Sequence, residues 1–196
     1  MTFKHDSSWE NLEEVFKAQL PIKDSWNRII DFHEQTVARD YWIELRQLDV
    51  TAEQEEIKDW LEKLIDDNPL PEQIIALWIG IAKLMDGDDN EIYAIYLTGA
   101  ESYDQEDIEW ATESTYEPED KYGVLDILNQ IDAIIKKDSE NYSFLDWILP
   151  LAYCALTLDE IIRTKLNSNI FLQFQERLFV TTGHDSGDFL NLSRIE

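Results

Sequence analysis

DGDDNEIYAIYLTG, residues 86–99, is the stretch at which the chain changes from a helical to a strand pattern. The part DGDDN has the composition of a turn. In EIYAIYLTG, β-branched and aromatic side chains replace helix-forming ones, which predicts a strand over residues 91–98. A strand set among helical segments favours an α+β fold that is mainly α.

The segments before this strand have the apolar spacing of helices. We expect helices over residues 8–19, 24–48, 51–68 and 71–85. The second of these is one long helix or two helices separated near Ala38. The third begins with the capping-box pattern of Thr51 and Gln54. Pro71 occupies a first-turn position, which favours a helix through Met85 and a helical hairpin with the preceding one.

The segments after the strand return to helix. Residues 100–121 are predicted to form an acidic loop with a helical turn near 105–112. The helical period then resumes, and helices are expected over 124–135 and 142–166.

Two short strand patterns close the sequence, over residues 177–182 and 189–194. They flank GHDSGD (183–188), whose glycines suit a hairpin loop. Together with residues 91–98 they predict a small antiparallel sheet. No linker separates this sheet from the helices, so we expect a single domain over residues 1–196.

Acidic residues dominate the composition, with 42 Asp and Glu against 16 Lys and Arg and a formal net charge of −26. This charge repels nucleic acid and anionic membrane surfaces, which leaves cationic proteins as the expected partners. A general solubility or salt-adaptation bias is the alternative explanation. Neither explanation indicates an oligomeric state.

The acidic residues are interleaved with aromatic ones between Lys83 and Lys121, where no other Lys or Arg occurs. Tyr and Trp supply contact area in protein interfaces, and complementary charge selects the partner. The stretch YDQEDIEWATESTYEPEDKY (103–122) is therefore a candidate binding surface. The residues predicted to bind a partner are Tyr103, Asp104, Glu106, Asp107, Glu109, Trp110 and Tyr116. The alternative is that Trp110 and some of the tyrosines only hold the loop on the core.

The sequence favours a cytoplasmic protein without membrane association. Its N-terminus lacks the apolar run of a secretory signal, so the mature chain is expected to begin near Met1. Cys154 is the only cysteine, which excludes an intrachain disulfide and suits a reducing compartment. The apolar run at 144–158 contains Asp146 and Pro150 and is too short to span a bilayer, so a buried helix is expected.

Catalytic chemistry has little support in the sequence. His184 lies with Asp185, Ser186 and Asp188 in GHDSGD, but the members of a catalytic triad come from separated segments. A tight turn, in which Asp185 and Ser186 bond nearby backbone amides, is the simpler interpretation. We predict no catalytic residue and no enzyme activity. A hydrolase that uses His184 is retained as an alternative.

Metal and cofactor binding are not expected either. Asp86, Asp88 and Asn90 match the first ligand positions of a calcium loop. However, Glu91 stands where that loop needs glycine, and Leu97 where it needs glutamate. The chain also lacks a CxxC motif, an HExxH motif and a glycine-rich phosphate loop.

The order IYLTGAESYDQEDIEWA (95–111) followed by a terminal VTTGHDSGDFLNL (180–192) resembles acidic bacterial immunity proteins of toxin–immunity systems. GHDSGDFLNL is also similar to a glycine and aspartate turn in the SUKH superfamily. The resemblance implies a stoichiometric inhibitor that occludes a basic toxin, often a nuclease. Two other roles stay open from the residues alone: a DNA mimic that inhibits a nucleic-acid-binding protein, and a structural or adaptor protein.

Overall fold

The computed structural model describes residues 2–185 and 187–196. Its helices are α1 (His5–Lys17), α2 (Ile22–Thr36), α3 (Tyr41–Gln47), α4 (Gln54–Asp67), α5 (Glu109–Thr112), α6 (Asp126–Ile135), α7 (Tyr142–Thr164) and α8 (Ser168–Phe171). Its strands are β1 (Ala76–Met85), β2 (Glu91–Ala100), β3 (Tyr122–Val124), β4 (Phe179–His184) and β5 (Phe189–Asn191). The predicted class, α+β and mainly α, is confirmed.

The strands form one sheet in the order β3-β2-β1-β4-β5. The central strand β1 is antiparallel to β2 along its whole length, with Ala76 opposite Ala100 and Met85 opposite Glu91. It is parallel to β4 on its other side. The three predicted strands are present as β2, β4 and β5. However, β1 lies between β2 and β4 and is parallel to β4, so the sheet is mixed and not antiparallel as predicted.

The predicted helix over 71–85 is wrong, because residues 76–85 form β1. The run LWIGIA (77–82) is apolar at every position and is covered on both faces of the sheet. An unbroken apolar run satisfies the helical period as well as the strand period, so its pattern does not separate the two structures. β3 also lies where no strand was predicted, between the acidic loop and α6.

The other helical predictions agree with the structure within a few residues. The segment 24–48 forms two helices, α2 and α3, with the break between Thr36 and Tyr41. The helical turn expected near 105–112 is α5. The helices expected over 124–135 and 142–166 are α6 and α7.

The two faces of the sheet carry different clusters of apolar side chains. α6 and α7 pack on the inner face, where the main core includes Ile79, Ile95 and Leu149. On the outer face a smaller cluster surrounds Trp78 and Trp110. The acidic segment is defined here as residues 101–120. Its first half therefore lies over the outer face of the sheet, whereas Tyr116 in its second half belongs to the main core.

α7 is the longest helix and is buried on nearly every side, with Pro150 in its interior. Cys154 is a buried free thiol on this helix, and burial raises its pKa. None of the helices within the described residues has the length and apolar character needed to cross a membrane.

A buried carboxylate joins α4, α6 and α7. Glu53, just before α4, accepts hydrogen bonds from the backbone N–H groups of Asp126 (2.8 Å) and Ile127 (3.3 Å). It also accepts a bond from the Tyr153 hydroxyl at 2.6 Å. Because the first backbone N–H groups of α6 have no partner within that helix, Glu53 acts as its cap from a distant part of the chain.

His33 joins α1 to α2 in the core. Its Nδ1 lies 2.8 Å from the Ile29 carbonyl oxygen, which only accepts, so Nδ1 carries the proton and donates. Its Nε2 then accepts from the Ser8 hydroxyl at 3.1 Å. Burial lowers the pKa of His33, because a charged imidazolium would be poorly solvated at this site.

The neutral state of His33 predicts a pH dependence of stability. Below pH 6.5, the ordinary pKa of histidine, the unfolded chain takes up a proton that the folded chain excludes, so the free energy of unfolding falls as pH decreases. We expect the loss between about pH 6.5 and pH 5 to be smaller in His33→Gln than in the wild type. The free energy of unfolding is measured by urea titration at a series of pH values, with tryptophan fluorescence as the signal.

The variant should be less stable than the wild type throughout, because the ring contacts of His33 are lost. The slope with pH, rather than the absolute stability, is the relevant quantity. Parallel curves for wild type and variant would show that His33 titrates normally in the folded chain.

Candidate binding surface

Aromatic side chains hold the first half of the acidic segment on the outer face of the sheet. The Tyr103 ring stacks on Phe179 of β4, with centroids 4.1 Å apart and planes 9° from parallel. Trp110 of α5 lies 5.4 Å from Tyr103 and is only 5% exposed. These contacts give the first half of the segment a fixed position relative to the strands.

Tyr116 fixes the second half of the segment. It forms a bridge opposite Gly99 of β2 and is 7% exposed. Its hydroxyl donates to the backbone carbonyl of Asn68 at 2.5 Å. Burial raises the pKa of Tyr116 to about 12.

The aromatic residues predicted to bind a partner are thus placed against the protein itself. Trp110 and Tyr116 are buried, and Tyr103 is half-buried. For Trp110 and Tyr116 the structure supports the alternative interpretation, in which they attach the segment to the core. Their rings offer almost no surface to a partner in this conformation, because Trp110 packs in the cluster with Trp78 of β1 and Tyr116 packs in the main core.

The four acidic residues predicted to bind a partner are Asp104, Glu106, Asp107 and Glu109, and all of them are exposed. Asp104 accepts from the backbone N–H groups of Glu106 (2.8 Å) and Asp107 (3.3 Å). Asp107 accepts from the N–H of Glu109 at 2.9 Å. In the described part of the chain none of the four forms an ion pair, whereas Glu117 later in the segment pairs with Lys121 at 2.9 Å. The result is an ordered loop with unneutralised charge.

The loop between β1 and β2 resembles a calcium loop in sequence but is closed by its own hydrogen bonds. One oxygen of Asp86 accepts from the backbone N–H groups of Asp88 and Asn90, both at 2.8 Å. The hydrogen bond from Asn90 is the main reason why the pKa of Asp86 is lowered. Throughout residues 2–185 and 187–196, no three His, Cys, Asp or Glu side chains are arranged to hold a metal ion.

β4 and β5 pair antiparallel, as the predicted hairpin requires, but Gly183 and His184 belong to β4 rather than to the loop. Gly187 has a φ of 109°, which favours glycine. Asp185 accepts a hydrogen bond from the Tyr96 hydroxyl. Ser186 lies outside the described residues, so its predicted bond is not described. His184 donates from Nε2 to the Trp147 carbonyl at 2.8 Å, which commits that nitrogen to a structural bond.

The acidic segment continues into a groove beside the hairpin. The Asn191 side chain donates to the Gln105 carbonyl at 3.0 Å and so places the segment against β5. The groove has a volume of about 650 Å³ and lies between α1, Gln105 and the hairpin. Its apolar walls are Trp9, Phe16 and Phe189, all partly exposed.

A second cavity of about 330 Å³ adjoins this groove and shares Trp9 and Asp188 with it. The other residues that line it are His5, Asp6, Glu10 and Trp147. We call this cavity the tryptophan pocket. Acidic and aromatic side chains are therefore exposed together here, at a surface built from α1, α7 and the residues around β5.

The sequence did not identify this surface. Trp9 fits the apolar spacing of α1, which favours a core position, and Trp147 lies in the apolar run of α7. Only the combination of Trp9 with Asp6, Glu10 and Glu13 on one short helix is a local signal. The contribution of Asp188 and Phe189 depends on tertiary structure.

Comparison of the chain with protein-family models, with curated proteins and with solved structures found no match. The fold and the surface described above are therefore the basis for a functional assignment.

Proposed function

We propose that the protein is an acidic binding protein that neutralises a basic protein by stoichiometric occlusion, in the manner of a bacterial immunity protein that inhibits a toxin. The observation that carries the proposal is the ordered loop of Asp104, Glu106, Asp107 and Glu109, whose exposed charges have no cationic partner in the described chain. Such a loop favours the approach of a cationic surface.

Order in the loop is as important as its charge. A flexible acidic tail loses conformational entropy when it binds, whereas a loop already held by Trp110, Tyr116 and its own hydrogen bonds loses little. Steering by the net charge of −26 raises the association rate, and the effect weakens as salt screens it. These properties support a rapid, selective inhibitor.

The proposed partner is a basic protein, of which a toxin nuclease is one class, since a surface that binds phosphates is cationic. Contact area would come from the half-exposed aromatic residues of the groove rather than from Trp110 and Tyr116. The proposal includes a cytoplasmic location, because a single free thiol such as Cys154 suits a reducing compartment.

Charge reversal of the loop tests this function. We expect Asp104→Lys, Glu106→Lys, Asp107→Lys and Glu109→Lys, combined in one variant, to weaken binding about 30-fold at physiological salt, mainly through a slower association rate. The measurement is the Kd, by surface plasmon resonance, for the basic protein whose gene adjoins that of this chain.

The matched control reverses four exposed acidic residues outside the segment, namely Asp24, Glu56, Asp66 and Glu176. It makes the same change in net charge and should weaken binding far less. Equal losses in both variants would mean that net charge alone acts, and unchanged binding after reversal of the loop would contradict the proposed surface. Equally tight binding to unrelated cationic proteins would instead favour a DNA mimic.

A further inference from the structure

We propose that the tryptophan pocket binds one cationic side chain, an arginine or a lysine, from a basic segment of the partner. The inference rests on the proposed function and assigns a specific anchoring site to it. The pocket combines two indole rings and an imidazole with the carboxylates of Asp6, Glu10 and Asp188. Aromatic faces flanked by carboxylates are the usual surroundings of a bound organic cation.

The aromatic walls are held in place by hydrogen bonds at their edges. Trp147 donates from Nε1 to Asp188 at 2.9 Å, and Trp9 donates from Nε1 to Glu13 at 3.2 Å. The two indole planes are within 20° of parallel, with centroids 6.4 Å apart. The His5 ring lies 4.4 Å from Trp147. Because these bonds fix the rings, their electron-rich faces need no reordering to receive a cation.

The carboxylates of the pocket lack a cation in the described chain. Asp6 and Glu10 are exposed and one turn apart on α1, a spacing at which like charges repel, and neither forms an ion pair with a described residue. Glu13, the next acidic residue on this side of the helix, is already paired with Lys17 at 2.8 Å. A bound cation would relieve the repulsion between Asp6 and Glu10.

The continuity of the pocket with the groove favours a polypeptide over a small amine. Trp9 and Asp188 line both cavities, and the groove extends to Gln105, beside the exposed carboxylates of the acidic segment. A basic segment that places one side chain in the pocket can therefore continue along Phe16 and Phe189 toward Asp104. Lys17 also lines the groove, but it is paired with Glu13 at 2.8 Å. The charge complementarity to a basic segment therefore comes from the two ends of the path, the carboxylates of the pocket and those of the acidic segment.

A peptide titration tests the pocket without the natural partner. The probe is an octapeptide of alternating glycine and arginine, and its neutral counterpart carries citrulline in place of arginine. We expect Asp6→Asn combined with Glu10→Gln to weaken binding of the arginine peptide about tenfold at physiological salt. Asp24→Asn combined with Glu56→Gln makes the same charge change on α2 and α4 and should weaken it less than twofold. Isothermal titration calorimetry measures both.

Nuclear magnetic resonance locates the bound peptide. The indole N–H signals of Trp9 and Trp147 should shift on addition of the arginine peptide but not of the citrulline peptide, with Trp9→Phe identifying one of them. Equal weakening in the two charge variants, or shifts spread over the other tryptophans, would overturn the proposal. Failure of this test is distinguishable from failure of the proposed function, since a chain without any basic protein partner would fail the charge-reversal test and still give the peptide result.

Discussion

Replacing Glu53 with alanine is expected to lower the free energy of unfolding by about 3 kcal/mol. The change leaves the N–H groups of Asp126 and Ile127 and the Tyr153 hydroxyl without their acceptor in the interior. Burial raises the pKa of Glu53, so part of the hydrogen-bond energy already offsets the desolvation of the carboxylate. The net loss is therefore smaller than three separate hydrogen bonds would suggest.

Urea unfolding of Glu53→Ala and Glu56→Ala provides the comparison. Glu56 is exposed on the first turn of α4, the helix that Glu53 precedes, so its removal should change the free energy of unfolding by less than about 0.5 kcal/mol. The free energy of unfolding of Glu53→Gln should lie between those of the two alanine variants, because the amide retains one acceptor oxygen but places an N–H₂ group near other donors. Similar stabilities for Glu53→Ala and Glu56→Ala would mean that α6 does not depend on this cap.

Gly183→Ala is expected to destabilise the fold by about 3 kcal/mol. An added methyl group would lie 2.5 Å from the Asp188 carbonyl oxygen and 2.8 Å from the Cα atom of Phe189. Both are backbone atoms, so they cannot rotate away as a flexible side chain can. Their displacement would also disturb the hydrogen bond from the His184 N–H to the Asp188 carbonyl, now 2.9 Å long.

Gly87→Ala is the matched control, because no heavy atom lies within 4 Å of the added methyl group. Thermal unfolding should show a midpoint about 6 to 12 °C lower for Gly183→Ala and nearly unchanged for Gly87→Ala. Equal midpoints would indicate that the hairpin moves away from the sheet at little energetic cost.

The apolar spacing of most helices was enough to predict them, whereas the centre of the sheet was not predictable in this way. A helix such as α4 exposes one side, so its sequence alternates with the helical period. β1 is covered on both sides and lies between two other strands, so LWIGIA shows no alternation at all. The parallel pairing of β1 with β4 also joins segments about a hundred residues apart, which no local pattern encodes.

The sequence predicted that the candidate site is acidic and aromatic, but it located only the acidic residues of the site. Acidic residues such as Asp104 are exposed, as charge alone indicates, because burial of an unpaired carboxylate is costly. Aromatic residues are ambiguous, since the same Trp or Tyr serves a core or an interface. Trp110 and Tyr116 pack on the sheet, whereas Trp9 lines an open pocket with a residue from the other end of the chain.

The central position of β1 has a consequence for synthesis of the chain. β1 and β2 can pair as soon as both have left the ribosome, but the other edge of β1 has no partner until β4 emerges near the end of the chain. An unpaired apolar edge is a site of aggregation between nascent chains. The acidic segment is made directly after β2, and we expect repulsion between its charges to oppose association of neighbouring chains during that interval. The same carboxylates would then act on the unfinished protein before any partner is present.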